Sequence, residues 1–119
     1  MEYFRLEIDL PDDVKVEEVS TILGFRPTIP RSEDGDLWMV ENEVPDEEPE
    51  DGWIHYITKY CESVRQGMTD LERLGISSGD ISIWMLYEYD QQCNMEFTPD
   101  EMKAMGDLGI TFCISCWAK

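Results

Sequence analysis

At three places this chain reads leucine, glycine, apolar residue: Leu23-Gly24-Phe25, Leu74-Gly75-Ile76 and Leu108-Gly109-Ile110. Glycine readily takes the left-handed backbone conformation that ends a helix, and the apolar residue after it can fold back on the last turn. Each triplet therefore closes a helix, and the segments between triplets have to supply strands. Helices and strands in alternation, within 119 residues, restrict the chain to one small domain spanning residues 1–119.

The segments between the triplets fit that frame. From Tyr3 to Leu10 the residues alternate, with Phe4, Leu6, Ile8 and Leu10 on one face and Tyr3, Arg5, Glu7 and Asp9 on the other. This is a strand with one face in water. Pro11-Asp12-Asp13 opens a helix whose apolar positions are Val16, Val19, Ile22 and Leu23. The connection "RPTIPRSEDGD" is rich in turn residues, and "LWMVENEV" follows as a strand. Glu33-Asp34-Gly35-Asp36, within that connection, lacks the spacing of a calcium loop and reads as a turn.

A long helix is expected from roughly Trp53 to Leu74, with Asp51 as its cap. Trp53, Ile57, Tyr60, Cys61, Val64, Met68 and Leu71 recur at helical spacing, while His55, Lys59, Glu62, Gln66 and Arg73 take the polar side. "DISIWMLYEYD" is apolar on both faces, as a central strand is, and Gln91-Gln92 turns it into a short strand "CNMEF". Thr98-Pro99-Asp100-Glu101 is a capping box with proline at the first helical position, and "TFCISCW" is the last strand. The expected fold is α+β: a mostly antiparallel sheet of about five strands with three helices packed on one face, in the order β-α-β-α-β-β-α-β.

Charge narrows the function. Asp and Glu number 27 against 9 Lys and Arg, a formal charge of −18. Such a field repels nucleic acid and anionic lipid, keeps the chain soluble, and attracts basic partners with fast, salt-sensitive association. No basic stripe exists to neutralise phosphates, so direct nucleic-acid binding is not expected. No apolar run approaches the ~20 residues of a membrane helix. The first residues, "MEYFRLEIDLP", lack the basic start and apolar run of a signal peptide, and the protein is expected in the cytoplasm. The acidic stretch "PDEEPEDG" reads as an exposed loop.

Cysteine chemistry has to be weighed against this. Residues i and i+3 of a strand point to opposite faces, which separates Cys113 from Cys116. Neither a disulfide nor one zinc can join thiols so placed. Packing is the expected role, and no metal or cofactor is expected. A thiol-dependent enzyme pairing Cys93 with Cys113 or Cys116 is the rival. The single histidine, His55, falls on an exposed helix face, and without it no Ser-His-Asp arrangement can be built. No glycine-rich phosphate loop occurs either. The chain is read as a binding protein, not an enzyme.

Two-residue periodicity divides the sheet. The helices should cover the side bearing Leu6, Ile8, Val40, Ile83, Met85, Met95, Phe97, Phe112 and Ile114. The opposite side would carry Glu7, Asp9, Glu41, Glu43, Glu88 and Glu96, with Trp84, Leu86 and Trp117 among them. Either the tryptophans stack together under the acidic loop, or aromatic anchors ringed by carboxylates form an interface for a basic protein.

The blocks "LGI", "ISIWMLYEYD", "QCNMEF" and "LGITFCISCW", from about Leu71 to Trp117, cover more than a third of the chain. In content and order they resemble a widespread bacterial family of small single-domain proteins of unknown function. Its members resemble in turn the small acidic proteins encoded beside polymorphic toxins, which implies an immunity role. The resemblance carries no catalytic residue. Sequence and resemblance together lead to an expected inhibitor of a basic protein toxin, such as a nuclease, using Glu41, Glu43, Asp46, Glu47, Glu48, Glu50, Asp51, Trp84 and Trp117. An acidic mimic of nucleic acid, blocking a DNA- or RNA-binding enzyme, is the alternative to which the net charge is equally suited.

Overall fold

Alternation in the first strand sets the architecture. The computed structural model describes residues 1–28 and 36–119, so most of the turn-rich connection, including Glu33 to Gly35, lies outside the described residues. The chain runs β1 (Glu2–Asp9), α1 (Val16–Leu23), β2 (Leu37–Glu43), α2 (Tyr56–Arg73), a 3-10 turn (Ser78–Asp80), β3 (Ile81–Tyr89), α3 (Pro99–Leu108) and β4 (Thr111–Ala118). The strand order is β2-β1-β3-β4, so β1 and β3 are the interior strands. β1 pairs antiparallel with β2 and β3, whereas β4 pairs parallel with β3.

The class is as expected, and two details of the sheet are not. It has four strands, not about five, and it is mixed. "CNMEF" forms no strand, because β4 occupies the edge of β3 that it would have paired with. Its apolar residue Phe97 packs edge-on against the Phe112 ring instead, 4.9 Å between centroids. α3 then carries the chain back along the sheet, and a crossover of this kind makes the flanking strands parallel.

Register confirms which side is covered. Leu6 lies between Val40 and Ile83, and Ile8 between Trp38 and Ile81. These residues are buried in one cluster with Val19 and Leu23 of α1, Ile57, Tyr60, Val64 and Leu71 of α2, and Met105 of α3. All three helices therefore pack on the even-numbered face of β1. Ile114 shares that face yet is 46% exposed, since the cluster reaches Phe112 on the edge strand and stops short of its C-terminal half. Buried polar tips find partners: Trp38 Nε1 donates to Ser20 Oγ at 2.9 Å, and the Tyr60 hydroxyl lies 2.6 Å from Asn42 Oδ1.

Helix ends follow local chemistry, with two corrections at the starts. Thr98 Oγ1 accepts from the Glu101 amide while the Glu101 carboxylate accepts from the Thr98 amide, with Pro99 leading α3. Gly109, at φ 70°, closes the same helix. α1 begins at Val16 rather than at Pro11, because Pro11 to Val14 form a turn and Glu18 reaches back to the Lys15 amide. α2 begins at Tyr56, not Trp53. Gly52, at φ 90°, ends a turn from Pro49, which keeps the chain non-helical there and leaves Asp51 no helix to cap. Gly67 is buried on the α2 stripe, where a Cβ would lie only 2.7 Å from Ile22 Cγ2 of α1. Glycine lets the two helices approach at that point.

Candidate protein-binding surface

On the far face of the sheet, β1 supplies Tyr3, Arg5 and Glu7, β2 supplies Glu41 and Glu43, β3 supplies Trp84, Leu86 and Glu88, and β4 supplies Cys113 and Trp117. Cross-strand register places Arg5 between Glu41 and Trp84. Its guanidinium lies 2.7 Å and 3.2 Å from Glu41 Oε1 through Nη2 and Nε, and 3.1 Å from Glu7 Oε1 through Nη1. The three side chains are 18–26% exposed, which strengthens these contacts relative to a pair in open water. Glu41 is thus engaged within the chain rather than left for a partner.

Three carboxylates without such a cation gather at one end of the sheet. β1 begins there, and β2, β3 and β4 all finish there. Glu43, Asp46 and Glu88 line a cavity of about 270 Å³ with Met1 and Lys119. Among the described residues none of these three carboxylates is in an ion pair. Tyr3 lies in the field of Glu43 and Glu88 and of Glu41 as well: loss of solvent first, then Glu43, Glu41 and Glu88, hold its phenol above the ordinary tyrosine range. A phenolate beside three carboxylates would be repelled.

Met1 and Asp46 also line an adjoining cavity of about 450 Å³, together with Glu2, Phe4, Trp53, Ile54 and Tyr87. Trp53 and Ile54 are 43% and 52% exposed, so an aromatic and an aliphatic side chain stand beside the acidic group. Partial burial raises the Glu2 carboxyl above the usual range. Sequence reasoning missed Trp53 as a surface residue, because its spacing to Ile57 and Tyr60 continues the helical stripe. Gly52 immediately before it was the available signal. Glu47, Glu48, Glu50 and Asp51 are exposed on the loop leading to this cavity, as expected.

The two tryptophans expected on the far face lie on it but do not meet. Trp84 is opposite Cys113, and Trp117 is opposite Glu88. Four residues along neighbouring parallel strands is roughly 13 Å at ~3.3 Å per residue. Trp84 is half-buried with Nε1 donating to Ser82 Oγ at 2.9 Å, whereas Trp117 is 40% exposed at the acidic end. The far face therefore groups Glu43, Glu88 and Trp117 at its acidic end and leaves Glu41 and Trp84 toward its middle, while Trp53 lies around the sheet end beside Asp46, on the side of Phe4 and Tyr87.

The cysteines divide as strand geometry requires. Cys113 faces outward beside Trp84, and Cys116 takes the opposite face beside Tyr87. Cys61 is buried in the core, where burial and then Glu101 push its thiol up to about 11. Cys93 lies in the connection before α3, with Sγ 3.6 Å from Cys116 Sγ. Among the described residues no group of three or more His, Cys, Asp and Glu side chains is placed to hold a metal ion. No described helix is long and apolar enough to cross a membrane. In comparisons with known proteins, the chain matches no family model, no curated protein and no solved structure.

Proposed function

We propose that this protein is a cytoplasmic inhibitor of a basic protein toxin, an immunity protein that binds through the acidic end of its sheet. One observation carries the proposal: among the described residues, Glu43, Asp46 and Glu88 converge without cations in ion-pair contact, with exposed Trp117 opposite Glu88 and exposed Trp53 and Ile54 beside Asp46. Against the Met1 ammonium and Lys119 at the same cavity, these carboxylates leave a net negative field to offer the Lys and Arg of a partner. Exposed aromatics beside them supply the buried anchors that hold a complex once formed.

The two components do different work. Exposed ion pairs contribute a median of ~0–1 kcal/mol each, so the carboxylates act mainly on encounter and on rejection of acidic partners. An anchoring tryptophan typically contributes ~2 kcal/mol or more and acts on dissociation. Inhibition would be steric and electrostatic, with the acidic group covering basic side chains that the toxin uses to hold phosphate.

Co-expression with the product of the neighbouring gene tests this. The expected outcome is a stable complex and rescue of growth from that product's toxicity. No complex, together with salt-sensitive capture of a DNA- or RNA-binding enzyme, would replace immunity with mimicry of nucleic acid.

A further inference from the structure

Outside the acidic surface, the most reactive groups the fold brings together are two thiols. Cys93 and Cys116 are both exposed, and their sulfurs lie 3.6 Å apart although 23 residues separate them in the chain. Cys116 is fixed in β4, while Cys93 belongs to the 90–98 connection, which contains no helix or strand before Pro99. A disulfide needs about 2.0 Å between sulfurs. The remaining approach is small, and rotation in the irregular connection can supply it without disturbing β4. Cys113 cannot compete for Cys116, because it points to the other face. Cys61 cannot compete for either, because it lies on the buried side of α2.

We propose that Cys93 and Cys116 form a redox-responsive dithiol site, closed by a low-molecular-weight disulfide such as oxidised glutathione and reopened by thiols. In the first step one protein thiolate attacks a sulfur of the oxidant. The oxidant's S–S bond breaks, a mixed disulfide forms, and one small thiolate leaves. The second protein thiolate then attacks the protein-side sulfur of the mixed disulfide and releases the other small thiolate. The protein loses two protons and two electrons, and the oxidant is reduced to two thiols. Partial loss of solvent, and then Cys116 itself, hold the Cys93 thiol above its ordinary range. The site is accordingly a slow responder to sustained oxidation rather than a fast catalytic thiol. Closure ties the connection to the edge strand and encloses α3 in a covalent ring. Exposed disulfides of this kind are the reducible ones in reducing compartments.

The test equilibrates the full-length protein in glutathione buffers of graded ratio, followed by intact mass and peptide mapping. The expected result is loss of two hydrogens from the monomer, one Cys93–Cys116 cross-linked peptide, and a higher unfolding midpoint than the reduced form. Cys113→Ser should leave this unchanged. Cys93→Ser and Cys116→Ser should abolish the cross-link and leave a stable glutathione adduct on the surviving thiol. A trivalent arsenical, phenylarsine oxide, gives a second readout that tolerates imperfect disulfide geometry, and one equivalent should bridge the pair in the wild type and Cys113→Ser but in neither Cys93→Ser nor Cys116→Ser. Separate glutathione adducts on Cys93 and Cys116 of the wild type with no bridging by the arsenical would overturn the proposal. So would cross-linking through Cys113, or between chains.

Discussion

Gly67→Ala offers a sharp trial of how α1 and α2 meet. In an unobstructed helix interior the change should stabilise by roughly 0.8–1 kcal/mol, because alanine is the better helix former. Here the new Cβ would sit 2.7 Å from Ile22 Cγ2, with Leu23 Cδ2 at 3.5 Å. Carbon atoms prefer about 3.5–4.0 Å, so the helices must part or Ile22 must leave its rotamer. A β-branched side chain has little freedom to do so. Overpacking of this sort costs roughly 1–3 kcal/mol, which outweighs the propensity gain and leaves a net loss of about 1 kcal/mol. Ile22→Ala removes the obstructing methyl at its own cost, and in that background Gly67→Ala should become stabilising by up to about 1 kcal/mol. A double-mutant cycle from urea unfolding reads the change of sign directly. Equal stabilisation by Gly67→Ala in both backgrounds would refute the close approach of the helices at this residue.

Val64, fully buried between α2 and the sheet, should cost about 2 kcal/mol when truncated to alanine, visible as a lower urea midpoint with unchanged slope. Arg5→Met should destabilise by about 1–3 kcal/mol, because Glu7 and Glu41 lose their half-buried cation, and Glu41→Gln in the same protein should recover part of the loss. Alkaline stability should follow Cys61: the folded state keeps a proton that the unfolded thiol releases, so stability is full below about pH 9 and declines as pH rises toward 11. Across that window the decline due to this thiol amounts to roughly 2–3 kcal/mol, and in the presence of reductant Cys61→Ala should remove it from the pH profile measured by urea unfolding.

Much of the fold was legible because the signals were local. The Thr98-to-Glu101 box, the glycines after Leu23 and Leu108, and the alternation from Phe4 to Ile8 each specify backbone from neighbours a few residues away. "CNMEF" failed because a strand needs a free edge, and whether β3 offers one depends on where β4 returns after α3. Trp53 failed because a helical stripe says nothing of where the helix begins when a glycine turn intervenes. The far face was predicted residue by residue, yet its electrostatics were not. Arg5 sits opposite Glu41 only once β1 pairs with β2 in the observed register, and that contact separates an engaged carboxylate from Glu43, Asp46 and Glu88. Cys93 and Cys116 likewise meet through topology, across a segment whose path no periodicity specifies.

The claim that the acidic end of the sheet recognises a basic protein is tested most directly by binding kinetics against the product of the neighbouring gene. Wild type, Glu43→Gln/Asp46→Asn/Glu88→Gln and Trp53→Ala would be compared across a range of ionic strength. The carboxylate variant should associate more slowly, with a flatter dependence on salt and a nearly unchanged dissociation rate. Trp53→Ala should dissociate faster, by about 30-fold for a ~2 kcal/mol anchor, with association unchanged. Three proteins with the same rates and the same salt dependence would contradict the assignment of this surface.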